Sequence, residues 1–135
     1  MPVLVDTNII LDHLTNDPEW ADWSFSQLKQ YQSEGIWINP IVFSEICVGA
    51  ESLEEALAIV KDFKLEVHEP GPEALFIAAK AFLRYRRQGG SRSSPLPDFY
   101  VGGQAEALGI RLLTRDSQRY QTYFPEVKLI CPESS

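Results

Sequence analysis

Short apolar runs and longer amphipathic stretches alternate along the chain. VLVD at 3–6 is β-branched, and NIILDHL then places Ile9, Ile10, His13 and Leu14 at helical spacing, so a strand followed by a helix is expected. Pro18 after Asp17 opens a second amphipathic stretch over 18–33, with Trp20, Trp23 and Leu28 amid polar positions, the two tryptophans suited to the core or to an interface, and an end before Gly35. IWIN at 36–39 reads as a strand stopped by Pro40, and IVFSEICVGA at 41–50 returns to helical spacing. Ser52 and Glu55 form a capping box for a helix over 52–63. LEVHE at 65–69 alternates as a strand, and residues 72–88 form the longest helix, ended by Gly89-Gly90. GGSRSSPLPD is a loop by composition; Pro97 opens a helix to about Leu108, RLLT at 111–114 is a strand, a short helix follows Asp116, and KLI at 128–130 is the last strand.

Strands that alternate with helices imply a parallel sheet, because parallel neighbours require crossover connections that are nearly always right-handed. The expected fold is α/β, a three-layer α/β/α sandwich with a central parallel sheet, forming one domain over residues 1–135. Sites in such folds lie at the carboxyl ends of the strands, where strand order reverses.

Composition narrows the field only modestly: 44% hydrophobic and 23% charged residues are ordinary for a globular protein. No basic leader precedes the first strand, and nowhere do about 18 apolar residues follow one another, so no membrane span is expected and a cytoplasmic protein is the default. Cys47 and Cys131 lie far apart without a CxxC partner, and His13 and His68 form no ligand pattern, so both cysteines are expected to be packing residues and any metal must be held by oxygen. A net charge of −7 speaks against a polyanion partner, but the segment from Lys80 to Arg119 carries eight basic residues against three acidic ones and permits one.

Four acids then stand out. Asp6 ends the first strand, Glu45 sits on a mostly apolar helix after the second, Asp98 lies in the first turn of a helix, and Asp116 follows RLLT. Taken singly, Asp6 suits a helix N-cap, Asp98 a first-turn acid beside the helix dipole, and Asp116 a turn. Glu45 among Ile41, Val42, Ile46 and Val48 is harder to explain, since an unpaired buried carboxylate is costly. All four can reach the same sheet edge. Gathered there they either protonate in part or bind a cation, and an all-oxygen set suits Mg²⁺ or Mn²⁺. Such a centre activates water and stabilises charge on a phosphodiester, which implies phosphate-ester hydrolysis. Asn8, Ser44 and Thr114, beside the acids, could orient carboxylates or water; a local cap or turn role suits each equally well.

With these residues assembled, the chain resembles PIN-domain ribonucleases, in particular VapC-type toxins of bacterial or archaeal toxin–antitoxin pairs. VLVDTNIIL resembles the family's opening strand and aspartate, PIVFSEI the helix carrying its glutamate, LPDFYVGGQAEALGIRLLTRD the segment with the third and fourth acids, and YFPEVKLICP its ending. The resemblance spans essentially the whole chain. It implies that Asp6, Glu45, Asp98 and Asp116 are the metal-binding quartet, with Asn8 and Thr114 as polar neighbours. It also implies Mg²⁺- or Mn²⁺-dependent cleavage of RNA, a homodimer, and inhibition by a cognate antitoxin. YVGG at 100–103 departs from the small-apolar helix, such as Ile-Ala-Ala, of many relatives; each glycine weakens a helix by about 1 kcal/mol relative to Ala, which implies close packing against the sheet or a neighbour.

The expected function is therefore a metal-dependent endoribonuclease, with Arg92, Arg115 and Arg119 as candidates to hold RNA phosphates. Two alternatives stay open. One is a non-catalytic binding module that keeps the fold and its partner contacts. The other is a haloacid-dehalogenase-type phosphatase, which expects DxD where this chain has Asp6-Thr7-Asn8; Walker A and GxGxxG elements are absent.

Overall fold

Strands buried on both faces need continuous apolar runs, and the runs at the centre of the sheet meet that need. Val3, Leu4, Val5, Ile38, Leu112 and Leu113 are all fully inaccessible. The computed structural model describes residues 1–89 and 96–132. It contains β1 (Val3–Val5), β2 (Ile36–Ile38), β3 (Leu65–Val67), β4 (Arg111–Leu113) and β5 (Leu129–Ile130), joined in one sheet of order β3-β2-β1-β4-β5. Every pairing is parallel, with Leu4 opposite Trp37 on one side and Leu112 on the other.

Successive crossovers carry α1 (Thr7–Leu14) and α2 (Ala21–Tyr31) between β1 and β2, then α3 (Pro40–Gly49) and α4 (Leu53–Asp62) between β2 and β3. The return to the other side of β1 uses α5 (Pro72–Arg87) and α6 (Leu96–Leu108), and α7 (Ser117–Tyr123) links β4 to β5. Because right-handed crossovers in opposite directions fall on opposite faces, α1–α4 cover one face and α5–α7 the other, which is the expected three-layer sandwich. Strand order reverses between β1 and β4. The crevice at their carboxyl ends is thus the place where the topology favours a site. Among the described residues no helix is long and apolar enough to cross a membrane.

Most expected elements lie within a residue or two of the observed ones, with one informative shift. Helix α2 starts at Ala21 rather than Pro18, because Asp17 Oδ1 accepts from the amides of both Glu19 (2.9 Å) and Trp20 (2.9 Å) and folds 17–20 into a turn. The capping box is present in altered form: Ser52 Oγ accepts from the Glu55 amide at 3.1 Å, while Glu55 Oε2 reaches the amide of Glu51. The expected loop through Arg92 falls largely outside the described residues.

The two glycines of α6 pack as expected, one on a helix rather than on the sheet. A Cβ on Gly103 would stand 2.5 Å from the Ala74 carbonyl oxygen and 3.0 Å from the Ala78 backbone nitrogen, both on α5; one on Gly102 would strike the buried Phe124 ring at 2.5 Å. These helices can lie together only without side chains there. Phe99, fully buried beside them, meets Phe82, Tyr85, Tyr123 and Phe124 at centroid distances of 5.5–5.7 Å and so fixes the first turn of α6. Gly103→Ala should lower stability by about 2 kcal/mol, overpacking outweighing Ala's gain in helix propensity of about 1 kcal/mol. Thermal melting should show a fall of roughly 5–8 °C; an unchanged melting temperature would mean that α5 yields freely.

Candidate metal and catalytic site

Asp6 follows β1 directly and is the N-cap of α1, but capping uses only half of its carboxylate. Oδ1 accepts from the Thr7 amide at 2.8 Å. Oδ2 accepts from the Thr114 hydroxyl (2.8 Å), the Tyr120 hydroxyl (3.0 Å) and Asn8 Nδ2 (3.3 Å). These donors come from the end of β4, from α7 and from α1, so Asp6 ties three elements together at the crevice. With Asp6 only 4% exposed, burial raises its pKa, and repulsion from Glu45 adds to this against the hydrogen bonds from Thr114, Tyr120 and Thr7.

The other acids approach from different elements. Glu45, half-buried on α3, accepts a hydrogen bond from the Thr7 hydroxyl at 2.8 Å. Asp98 sits in the first turn of α6, and Asp116 stands at the N-cap position of α7 without a side-chain capping bond. Arg119 Nη1 spans the last two, donating to Asp98 Oδ2 at 2.6 Å and Asp116 Oδ2 at 3.3 Å. Burial lifts the Asp98 carboxyl to about 7; the charge of Asp6 adds most to that, Arg119 opposes it and Glu45 contributes further. Tyr120 is held well above its usual range, first by burial and then by Asp6 and Asp98, so its hydroxyl stays a donor. The four acids therefore face one region.

Not every expected neighbour joins them. Asn8 bridges Asp6 to Thr114 (3.4 Å) and accepts the Arg115 amide at 3.2 Å, and Thr114 Oγ1 also accepts from the Asp116 amide at 3.0 Å. Ser44 is exposed and donates to the Pro40 carbonyl of its own helix at 3.0 Å. Arg115 is turned inward: its Nε and Nη2 form a fork on Asp12, with Nη2 to Oδ1 at 2.8 Å, and its guanidinium lies 5.4 Å from the Trp20 ring centroid. Its commitment to Asp12, like that of Arg119 to Asp98 and Asp116, occupies donors that the sequence suggested for phosphates. Arg92 lies outside the described residues.

Thr7, Tyr120 and Asp12 escape a reading of the sequence. Thr7 and Tyr120 are buried donors to acids, and nothing in the chain marks them. Asp12 could have been found: like Glu45 it is a lone acid on an apolar helix face, here 3% exposed and bonded also by the Ser24 hydroxyl at 2.7 Å.

Among the described residues the four carboxylates have one cationic partner, which leaves an excess of negative charge on hard oxygen donors and fits a divalent ion such as Mg²⁺ or Mn²⁺ by chemistry. The oxygens do not stand as a ready ligand set. Among the described residues no three acidic, histidine or cysteine side chains converge in a metal-holding group, because the carboxylates are turned to protein donors.

The raised Asp98 pKa carries a pH dependence. A carboxyl whose pKa rises from 3.8 to about 7 on folding favours the fold while protonated, so this contribution is complete below about pH 4 and is lost as pH climbs through 7. In chelator, Asp98→Asn should lose less melting temperature than the unaltered protein between about pH 4 and 8. Parallel slopes in the two melting profiles would contradict this.

A family model described as PIN domain matches residues 3–125. No curated protein matches the sequence. Solved structures match over nearly the full length. Chains of the VapBC2 complex from Rickettsia felis bound to a promoter DNA fragment are 19% identical with a TM-score of 0.73, covering 97% of this chain and 98% of that one. DNA-bound VapBC from Salmonella typhimurium gives 24% identity and a TM-score of 0.70 with the same coverage. A toxin–antitoxin complex from Klebsiella pneumoniae gives 18% and 0.69, covering 98% of this chain and 99% of that one. At these identities the likeness is one of fold.

Proposed function

Since the chain belongs to the PIN domain family, we propose that it is a metal-dependent endoribonuclease acting as the toxin of a toxin–antitoxin pair. The observation that supports this reading is the hydrogen bonding of Asp6 to Thr114 and Tyr120 and of Glu45 to Thr7, beside the crevice where strand order reverses. Asp6, Glu45, Asp98 and Asp116 would hold Mg²⁺ or Mn²⁺. A bound ion of that kind supplies activation of water and offsets charge developing on the scissile phosphate.

The chain's own residues have separable tasks. Thr114, Tyr120 and Asn8 fix the plane of the Asp6 carboxylate, and Thr7 fixes Glu45. The network Asn8–Thr114–Asp116 ties the acid after β4 to the acid after β1. RNA is assigned as substrate because of the resemblance of the sequence motifs to PIN-domain ribonucleases, and the toxin–antitoxin complexes among the structural neighbours support a protein inhibitor. A cognate antitoxin and a homodimeric state belong to the same proposal. A groove of about 700 Å³ on α5, with Phe76 and Leu83 exposed and Lys80, Arg86 and Arg87 lining it, suits an amphipathic acidic segment of such an inhibitor.

Incubation of the purified protein with total cellular RNA tests this reading. Cleavage that requires Mg²⁺ or Mn²⁺ and stops with chelator is the expected result. Intact RNA under all metal conditions would favour the alternative of a binding module without turnover.

A further inference from the structure

Two of the site's carboxylates are held by neutral donors and two by a cation, so charge compensation is unevenly distributed. Asp6 and Glu45 receive hydrogen bonds from amides, hydroxyls and an amide side chain, none of which carries charge. Asp98 and Asp116 share one guanidinium. We infer that Arg119 and a divalent cation compete for the same carboxylate oxygens, so that the guanidinium must release Asp98 and Asp116 before the ion can be held by them. The inference rests on the reading of the four acids as a metal site and adds a positioning residue that antagonises it.

The geometry gives the competition its direction. A single nitrogen, Nη1, reaches Oδ2 of both acids, and those acids stand on different elements, α6 and the turn before α7. Lone pairs engaged by an N–H are withdrawn from a metal, and two cations drawn to one pair of oxygens repel. Room for release exists: a pocket of about 330 Å³ lies along α7, lined by Asp116, Gln118, Arg119, Thr122 and Tyr123, and the Arg119 side chain is already 25% exposed. A rotation about its own side-chain bonds would carry the guanidinium along that pocket without moving the backbone. The opposite possibility is that Arg119 lines up the two acids for the ion, in which case its loss would weaken binding.

Titration calorimetry with Mn²⁺ on the unaltered protein, Arg119→Gln and Arg119→Lys separates these signs. Competition predicts Mn²⁺ binding about tenfold tighter in Arg119→Gln, with Arg119→Lys between the two because an ammonium keeps the charge but not the planar fork. The gain should persist from about 0.15 M to about 0.5 M salt, since through-space repulsion is screened while a contest for the same oxygens is not. In chelator, Arg119→Gln should also melt lower, having lost the bridge. Equal or weaker Mn²⁺ binding in Arg119→Gln, or a gain that vanishes at the higher salt, would overturn the inference. If Arg119→Gln fails to fold, the Lys variant carries the same comparison. Absence of Mn²⁺ binding in every form would instead remove the metal site itself, and the inference with it.

Discussion

Asp12→Ala is expected to lower stability by about 3 kcal/mol, the largest single effect on folding that the structure predicts. Asp12 is almost wholly buried on α1, and its two oxygens receive the Arg115 fork and the Ser24 hydroxyl. Removing one member of a buried pair costs about 3–5 kcal/mol because the partner charge is left uncompensated. The lower end applies here, since the Arg115 side chain is 28% exposed and can turn partly to water. Urea unfolding should show a lower midpoint at an unchanged slope. The double variant Asp12→Leu with Arg115→Met should recover much of the loss, because apolar replacements of similar volume are commonly neutral. A change under about 1 kcal/mol in Asp12→Ala would mean that the pair is a solvated contact.

The second large effect is on activity. Asp6→Asn should reduce RNA cleavage by at least about a thousandfold, equivalent to roughly 4 kcal/mol of transition-state stabilisation, while leaving the fold in place. The substitution removes one charge from the centre of the acidic group yet keeps a carbonyl oxygen that can accept from Thr114 and Tyr120. Burial already disfavours the charged form of Asp6, so at neutral pH in chelator the melting temperature should not fall by more than a few degrees. Cleavage of labelled RNA and a melting curve on one preparation separate the two quantities. A variant that cuts at the original rate would remove Asp6 from the chemistry; one that unfolds would reduce it to a cap.

The architecture was legible because its central strands, β1 and β4, are buried on both faces. Continuous runs such as VLV and RLL can be little else between amphipathic helices, and the crossover rule then determines the layers. The acids could be proposed as a group from their places after strands, from the anomaly of Glu45 among apolar residues and from the resemblance of their motifs to PIN-domain ribonucleases. Their partners could not, because hydrogen-bonding direction depends on side-chain rotation. Thr114 looks the same in sequence whether it bonds Asp6 or caps a turn, and Tyr120 reads as one more aromatic in a short helix. The two arginines illustrate the same limit: charge in the 80–119 segment pointed outward to phosphates, whereas Arg115 and Arg119 satisfy acids of their own chain. Gly102 and Gly103 are the reverse case, where a departure from helix propensity announced a close contact before any partner was visible.

We propose that Asp6, Glu45, Asp98 and Asp116 together hold a divalent ion. Anomalous diffraction from crystals soaked in Mn²⁺ addresses it without reference to substrate. The expected result is a peak at the carboxyl ends of β1 and β4, about 2.2 Å from oxygens of at least two of the four acids, with the Arg119 guanidinium turned away. A peak elsewhere, or an empty crevice at saturating Mn²⁺, would contradict it.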